Sequence, residues 1–484
     1  MLRFPKLHTI AAAAAASIAL AAPSTALASH GQAVYFEASN TLLNPALRPK
    51  TIAQLQHLGV KALRIELYWE AVAPHPSSAR KPSFAATSPA SYDWGQWPTV
   101  LAEAKRLGWK VLLTITGPAP RWATANGTAP YVTRPDDQDF GEFVTAVARE
   151  LGSEVSVYSI WNEPNHPAFL RPQFKSNGSP ASPRIYRGLY QSAYAGLQAA
   201  GIAHPHVLFG ETAPTGYDSV KSLLHREGSR ALLHDVAPLA FLREALCLNS
   251  HYRKSSSCGE LQMAGYAHHA YTIAVPPSYK RVGVDDVTIG VLGRLSSALE
   301  LAARAHAIPA GVPIYLTEYG VQSYPNRQLG VPASVQAEYD AMAEQIAYEN
   351  PRVAAFSQYL LRDDPLGGPP GASVHGGTVG FQTGLEYVNG TPKPLYYAWP
   401  LPLTVTRRHT GVSLWGLIRP AVGATSLTVL VKAPHARAYR TLADVHTNSA
   451  GYWTLTSRVA GETWKVRWKS PTGTTYEGPP IHAR

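Results

Sequence analysis

The sequence predicts an α/β protein built from a (β/α)8 TIM barrel followed by a small C-terminal β-sandwich domain. From about residue 31 to 400, apolar strand-like runs alternate with amphipathic helical stretches, as parallel α/β folds require. After Pro400, short runs of alternating residues are separated by glycine, proline and asparagine turns, a pattern typical of antiparallel sheets. The 484 residues are enough for both units. We therefore expect a barrel at residues 29–400 and an accessory sandwich at residues 401–484.

Eight strand candidates, with helices between them, match the element count of a barrel. The helix predicted at 137–151 begins with acidic residues, which favour the positive end of its dipole. An open doubly wound sheet would alternate similarly, but no glycine-rich phosphate loop follows the first strand, so the barrel is favoured. The predicted strands span residues 33–38, 60–67, 110–116, 155–161, 206–210, 261–268, 313–317 and 353–359; the other predicted helices span 51–58, 97–107, 183–200, 287–306 and 332–348.

Residues 1–28 are predicted to be a secretory signal peptide outside the fold. Arg3 and Lys6 precede an apolar, alanine-rich run, and Ala26-Leu27-Ala28 is a small-x-small cleavage site. An uncleaved anchor helix is the alternative, but the run is short for spanning a bilayer. We therefore expect a secreted protein without a membrane partner. We also expect it to be a monomer.

Cysteine usage and charge set further limits. Cys247 and Cys258 lie eleven positions apart in a loop-like stretch, and in an oxidising compartment such a pair predicts one local disulfide. The net charge is +11, or +9 without Arg3 and Lys6. An acidic polysaccharide could bind such a protein. However, the basic residues are scattered without a block of five, which favours a solvated surface without a specific partner. No motif supports nucleic-acid binding.

Two glutamates occupy the positions where barrel enzymes place their chemistry, at the carboxyl ends of strands. Glu163 follows the fourth predicted strand in the string Trp161-Asn162-Glu163-Pro164, and Glu318 follows the seventh in Thr317-Glu318-Tyr319-Gly320. Strands four and seven lie on opposite sides of a closed barrel, so both side chains can converge across its mouth. Glycosidic cleavage needs such a pair: one carboxyl protonates the leaving oxygen, and the other attacks the sugar or activates water.

The two strings resemble the acid/base and nucleophile motifs of clan A glycoside hydrolases, barrel enzymes with catalytic glutamates on strands four and seven. The resemblance covers residues 31–400 and is nearest to families 39 and 5. It implies a retaining glycosidase acting on a glycan or glycoside, with Glu163 as general acid/base and Glu318 as nucleophile, and with no cofactor or metal. Retention requires carboxyl groups about 5 Å apart, whereas about 9 Å would indicate inversion.

The resemblance also implies supporting residues. Arg64 fits the arginine that keeps the nucleophile ionised, because a nearby opposite charge favours the carboxylate; a structural ion pair with Glu66 is the alternative. Tyr271 fits the tyrosine that hydrogen-bonds the nucleophile, unless it belongs to the core. Asn162 is expected to hold the sugar 2-hydroxyl.

Three further polar residues are candidates. His268 and His269 are adjacent, so on a strand they face opposite ways, and we expect His269 in the pocket and His268 in the packing. Glu211, which ends the fifth strand, is a candidate for a third acidic contact to substrate hydroxyls.

A sugar cleft also needs aromatic platforms, because sugar rings pack their C–H faces on flat side chains. Many clan members have a tryptophan after the eighth strand, where this chain has Tyr359 instead, so the sugar in the first subsite is open. The other candidates at strand ends are Phe36, Trp69, Trp122, His166 and Tyr319.

Two competing functions use the same features. A transglycosidase would pass the sugar to an alcohol, and a carbohydrate-binding protein would have lost catalysis; the intact glutamate pair favours catalysis. The sandwich is expected to be a structural accessory with most of its aromatic residues in the core, and glycan binding is the alternative. The insert at residues 216–257 is expected to wall one side of the cleft, which favours a pocket and exo action.

Overall fold

The computed structural model describes residues 31–255, 258–281, 283–365 and 380–484. The predicted signal peptide therefore lies outside the described residues. Eight parallel strands close into a barrel in the order β1 to β8, as predicted. The strands are β1 Ala33–Glu37, β2 Ala62–Tyr68, β3 Lys110–Thr116, β4 Val157–Ile160, β5 Val207–Thr212, β6 Gly265–His269, β7 Ile314–Tyr319 and β8 Val353–Tyr359.

Helices surround the barrel, and their apolar sides pack on the outer faces of the strands. Among the described residues, no helix is both long and apolar enough to cross a bilayer. The helices are α1 Ser39–Leu42, α2 Arg48–His57, α3 Trp69–Val72, α4 Trp97–Arg106, α5 Asp137–Leu151, α6 Ser182–Ala199, α7 Lys221–Glu227, α8 Pro238–Ala245, α9 Gly293–Arg304, α10 Ala333–Glu349 and α11 Pro394–Ala398.

The inside of the barrel is filled rather than open. Seven strands contribute one buried residue each to an inner apolar layer, and the partly buried Tyr315 of β7 packs against it. These residues lie in the first half or at the middle of their strands, so the layer leaves the carboxyl ends of the strands for polar side chains. The layer consists of Tyr35, Ala62, Leu112, Val157, Leu208, Ala267 and Ala355.

The C-terminal domain is the predicted antiparallel sandwich. One sheet has the order β13-β10-β9, and the other has the order β12-β11-β14-β15 with β16 on β14. Its core includes Trp453, Trp464 and Trp468, as expected for the alternating aromatic residues. The strands are β9 Leu403–Arg408, β10 Gly411–Leu417, β11 Ser426–Lys432, β12 Arg440–His446, β13 Tyr452–Ser457, β14 Thr463–Lys469, β15 Thr475–Glu477 and β16 Ile481–His482.

A buried ion pair joins the two domains. Arg419 of the sandwich donates to both carboxylate oxygens of Glu344 on α10, at 3.0 and 2.8 Å. Its guanidinium also donates to the carbonyl of Trp399 and lies 3.5 Å from the centre of that ring. The side chains of Arg419 and Glu344 are 4% and 0% exposed, so neither charge has water as an alternative partner.

Loss of one partner of this pair should destabilise the chain more than loss of both. Arg419→Met leaves Glu344 charged and buried, and we expect the free energy of unfolding to fall by about 3–5 kcal/mol. In the double variant with Glu344→Met no charge is stranded, so much of that loss should be recovered. Melting temperatures from circular dichroism test this. A double variant less stable than Arg419→Met would contradict it.

The insert before β6 is fixed to the outside of the barrel. Cys247 and Cys258 form the predicted disulfide, with their Cα atoms 6.0 Å apart. Arg187 of α6 donates to the carbonyls of Ala245 and Gly259 on either side of it. The expectation that the insert walls the cleft is thus supported only in part, because its disulfide part packs on an outer helix. An earlier part, around Asp235, borders the loop after β4.

Candidate active site

The loop after β4 turns sharply to present Glu163 at the barrel mouth. Trp161 and Glu163 have φ angles of 65° and 37°, in the left-handed region that residues with a Cβ seldom adopt. Backbone bonds to the neighbouring strands hold the turn: the N–H of Trp161 donates to Ile115, and that of Glu163 donates to Glu211. The Trp161 ring is buried, and its Nε1 donates to the carbonyl of Phe169. The tryptophan of the motif thus shapes the turn.

Glu318 faces Glu163 from β7, with both of its oxygens hydrogen-bonded. Tyr271 donates its hydroxyl to Oε1 at 2.6 Å, and Arg64 Nη1 lies 3.3 Å from Oε2. An oxygen of Glu163 and an oxygen of Glu318 lie within 4.8 Å of each other. The structure therefore places Arg64 and Tyr271 beside Glu318, where the sequence predicted them.

Arg64 is the only cationic side chain in direct contact with Glu318 among the described residues, and it is fully buried. Its Nη2 donates to Glu211 at 2.9 Å and to Asn162 Oδ1 at 3.0 Å, and its Nη1 also bonds Glu37. The predicted pairing with Glu66 exists as well but is longer, at 3.5 Å. Arg64 thus joins the ends of four strands and the acid/base loop, and its hydrogen bond fixes the side-chain oxygen of Asn162.

His269 and His268 point in opposite directions, as their adjacency on a strand requires. His269 Nδ1 lies 2.9 Å from Glu163 Oε1 and 3.6 Å from Glu318 Oε2. His268 is bonded to Thr212 Oγ1 and to a backbone carbonyl away from the carboxylates. The pocket position expected for His269 is the one that the structure shows.

Burial dominates the protonation of the site. It raises the pKa of Glu318 and of Glu163, and the positive charge of Arg64 opposes the rise in both. Burial lowers the pKa of His269 to about 3, so its imidazole is neutral. Burial also raises the pKa of Glu37 to about 8, against the pull of Arg64. Glu37 therefore carries a proton at neutral pH, in a site where several carboxyl groups share one guanidinium.

The two facing glutamates are accessible, whereas Glu211 is not. The side chains of Glu163 and Glu318 are 15% and 8% exposed, but that of Glu211 is 0% exposed. Both oxygens of Glu211 are taken, one by Arg64 and the other by the hydroxyl of Thr114. Its predicted contact with substrate hydroxyls is therefore wrong, and Glu211 instead orients Arg64.

Most of the predicted aromatic platforms are buried. Trp69 is 0% exposed because it opens α3 and stacks on Phe143 of α5, outside the barrel, so it cannot offer a face to a sugar. Trp122 is half-buried, and its Nε1 donates to the carbonyl of Pro74. No contact within the described residues joins it to either glutamate. Phe36 and Tyr319 are buried too, whereas His166 is partly exposed.

An aromatic surface does lie beside Glu318. Tyr359 and Tyr271 are each partly exposed, and the ring of Phe381 lies 5.3 Å from the first and 6.4 Å from the second. Sequence reasoning missed Phe381 because it lies in an irregular segment after β8. The missing tryptophan of the clan pattern is thus replaced by a group of smaller rings.

Sequence reasoning also missed Glu37, which ends β1 directly opposite Arg64 in the strand register. Its position as an acidic residue at the carboxyl end of a strand was the available signal. Asp235 was missed as well. It lies 3.8 Å from His166 beside the acid/base loop, and burial, with the nearby charge of Glu163, raises its pKa to about 7.

Glu163, His269 and Glu318 could in principle offer one ligand atom each to a metal ion, since those atoms lie within 4.8 Å of one another. Two contacts disfavour this. The guanidinium of Arg64 already occupies one side of Glu318, and the hydroxyl hydrogen of Tyr271 points at its other oxygen. A cation bound there would face both positive ends, which disfavours a metal ion at this position.

The proton on Glu37 has a testable consequence for stability. An unfolded glutamate loses its proton near pH 4.3, about its ordinary pKa, whereas folded Glu37 loses it near pH 8. The stability that this proton supplies is complete below the first value and is lost as the pH rises through the second. Glu37→Gln, always neutral, should therefore gain stability relative to wild type as pH rises, by at most about 1.4 kcal/mol per unit.

Melting temperatures of wild type and Glu37→Gln, measured at intervals between about pH 5 and 8, test this expectation. The surface variant Glu150→Gln serves as the control for the replacement of an exposed carboxyl group. A constant difference for Glu37→Gln would mean that Glu37 is ionised throughout this range.

Fold and site together define the chain as a (β/α)8-barrel protein with two facing glutamates at the barrel mouth. No family model and no curated protein matches the sequence. Among solved structures, a family 39 glycoside hydrolase from the gut symbiont Bacteroides cellulosilyticus WH2 is similar with a TM-score of 0.51 at 14% identity, over 88% of this chain and 81% of that one. A glucosidase from Croceicoccus marinus has a TM-score of 0.50 at 12% identity, over 90% and 94%.

At these identities the comparison shows a shared fold. One of the structures that share this fold is a family 39 glycoside hydrolase, and family 39 is one of the two families that the motifs around Glu163 and Glu318 resemble. The resemblance inferred from the sequence is therefore confirmed at the level of architecture.

Proposed function

We propose that this chain is a retaining glycoside hydrolase that acts by double displacement. The observation that carries the proposal is the pair Glu163 and Glu318, whose nearest carboxyl oxygens lie within 4.8 Å of each other. Retaining enzymes hold their carboxyl groups about 5–5.5 Å apart, whereas inverting enzymes leave about 6.5–9.5 Å for a water molecule. The different partners of the two groups assign the roles.

In the first step, Glu318 attacks the anomeric carbon as a carboxylate. Arg64 and Tyr271 stabilise its negative charge until the new bond forms. Glu163 gives its proton to the glycosidic oxygen, the bond between that oxygen and the anomeric carbon breaks, and the aglycone leaves as an alcohol. Burial raises the pKa of both glutamates, but only Glu318 has Arg64 and Tyr271 as donors to its carboxylate, so the proton is assigned to Glu163.

In the second step, Glu163 is a carboxylate and removes a proton from water, whose oxygen attacks the anomeric carbon and releases Glu318. His269 Nδ1 lies 2.9 Å from Glu163 and suits both states. The neutral imidazole accepts a hydrogen bond from the protonated acid and, in its other tautomer, donates one to the carboxylate. Both protonation states of Glu163 are thus supported by the same neutral partner.

The shared fold with a family 39 glycoside hydrolase and with a glucosidase supports the substrate class, a glycoside. The predicted signal peptide at residues 1–28 supports the further proposal that the enzyme acts outside the cell on an external glycan or glycoside.

Product stereochemistry tests the proposal directly. A panel of aryl glycosides is screened for release of the phenol, and proton NMR of the best substrate then follows the first sugar anomer formed. We expect the configuration of the substrate to be retained at early times. The double variant Glu163→Gln/Glu318→Gln is the control and should release no sugar. First appearance of the opposite anomer would assign an inverting mechanism and overturn the role of Glu318.

A further inference from the structure

The positive charge of this chain is concentrated in the sandwich. Residues 401–484 contain 3 lysines and 8 arginines against 3 acidic residues, a net charge of +8. The whole chain has a net charge of +11, of which Arg3 and Lys6 supply two, so residues 29–400 have a net charge of only +1. The basic residues themselves are scattered along the whole chain, as the sequence analysis states, but those of residues 29–400 are almost balanced by acidic residues, so most of the net charge belongs to the sandwich.

Many of these cations have no acidic partner. Arg419 and Arg484 pair with glutamates of the barrel, and Lys432, Lys465 and Arg467 pair with glutamates of the sandwich itself. The other six are exposed, and no described carboxylate lies within ion-pair distance of them. They are Arg407, Arg408, Arg437, Arg440, Arg458 and Lys469.

Three of the six lie together at one end of the three-stranded sheet. Arg407 and Arg408 end β9, directly before the turn into β10. Val412 of β10 pairs with Arg407 of β9 on one side and with Ser457 of β13 on the other. Arg458 follows Ser457 at once, so it reaches the same end of the sheet. We call Arg407, Arg408 and Arg458 the arginine cluster. The exposed His409 lies in the turn between β9 and β10.

The arginine cluster has no part in the chemistry at the barrel mouth. Besides its ion pairs with Glu338 and Glu344 of α10, the sandwich contacts the barrel at the carboxyl end of α2, where Tyr476 donates to the carbonyl of His57, and at Lys61 just before β2. Gly59 approaches the sandwich so closely that a Cβ there would lie 2.5 Å from the nitrogen of Pro420. These segments lie at the amino ends of the strands, opposite to the catalytic glutamates.

We infer that the sandwich is a docking module for an anionic polysaccharide that carries carboxylates along its chain, and that the arginine cluster is its contact surface. Arginine predominates among the cations of the domain, and its planar guanidinium binds a carboxylate through two parallel hydrogen bonds. A polysaccharide is chosen over other polyanions because the same chain carries the proposed glycosidase site. The module would hold the barrel near glycan while leaving its mouth free.

Binding of the full chain to polygalacturonate tests the inference. We expect binding at low ionic strength that weakens strongly between about 0.1 and 1 M NaCl, as the screening length falls from about 10 to about 3 Å. Arg407→Glu/Arg408→Glu/Arg458→Glu should weaken binding by at least about tenfold, because attraction at each site becomes repulsion. A milder variant, Arg407→Gln/Arg408→Gln/Arg458→Gln, should weaken binding less. It tests the same surface if the charge-reversed variant does not fold.

The matched control is Lys50→Glu/Lys110→Glu/Arg230→Glu, which changes the net charge equally at exposed barrel residues and should bind nearly as wild type does. Equal loss in both charge-reversed variants would overturn the arginine cluster as the contact surface. Absence of binding, or equally tight binding to duplex DNA or to vesicles of anionic phospholipid, would overturn the polysaccharide as partner. Turnover of a small soluble aryl glycoside should be unchanged in the cluster variants, which separates this inference from the proposed activity.

Discussion

Glu318→Ala is expected to abolish hydrolysis, lowering kcat by about five orders of magnitude on any substrate of the wild type. The reason is that no other carboxyl group is placed to attack the anomeric carbon: Glu163 acts at the leaving oxygen, and Glu66 is already bonded to Arg64 and Tyr68. Glu211 is fully buried, and Glu37 is 3% exposed and holds a proton at neutral pH. Release of an aryl leaving group, measured with enough enzyme to detect residual rates, gives the number. Glu150→Ala on the exposed side of α5 is the control and should retain full activity.

Rescue by a small anion separates a lost nucleophile from a damaged fold. Alanine leaves a space between Arg64, Tyr271 and the sugar, and azide can enter it and attack the same face. With an activated aryl glycoside, Glu318→Ala plus azide should therefore form a glycosyl azide of inverted configuration. Retained configuration, or undiminished hydrolysis without azide, would falsify the assignment of Glu318.

The barrel and the two facing glutamates could be predicted because they depend on local pattern. Strand and helix candidates follow from apolar periodicity, and a barrel then places every strand end at the same mouth. His269 is an instance: its adjacency to His268 on a strand forces one imidazole inward, and the register sets His269 opposite Glu318.

Glu37 shows where that reasoning ended. Its partner Arg64 lies on β2, and the contact depends on the pairing register of two strands, which the sequence pattern of either strand does not define. The proton on Glu37 depends in turn on burial among other carboxyl groups, a property of the assembled site. The role of Glu211 was misjudged for the same reason, since its full burial follows from packing around Arg64.

Trp69 was misassigned for a geometric reason. An aromatic residue directly after a strand can continue into the mouth or turn outward, and here a short helix begins at Trp69 and carries its ring onto Phe143. The sixth strand shows the same difficulty at its start. It was predicted over residues 261–268 but begins at Gly265, because Leu261 and Met263 are buried by packing outside the sheet.

The two catalytic roles differ in what they demand of the leaving group, and this gives the second large effect. Glu163→Ala should lower the rate on glycosides of poor leaving groups by about two to four orders of magnitude, because the departing oxygen receives no proton. The dinitrophenolate of a dinitrophenyl glycoside leaves without receiving a proton, so the first step should be nearly unaffected. The glycosyl-enzyme should then accumulate, which is visible as a burst of the released phenol. The same measurements on Glu150→Ala should show neither effect.

Azide and pH complete the test of Glu163. Azide needs no base, so with Glu163→Ala it should release the glycosyl-enzyme as a glycosyl azide of retained configuration, the opposite outcome to Glu318→Ala. Burial raises the pKa of Glu163. Wild-type activity should therefore fall as the pH rises through this raised pKa, because the acid loses its proton. For the dinitrophenyl substrate, Glu163→Ala should lack this fall, because no acid remains to be titrated. If Glu163→Ala kept the fall in activity at alkaline pH, that fall would belong to another group. His269 is excluded because its pKa is about 3. Asp235, whose pKa burial raises to about 7, would then be the first residue to replace by asparagine.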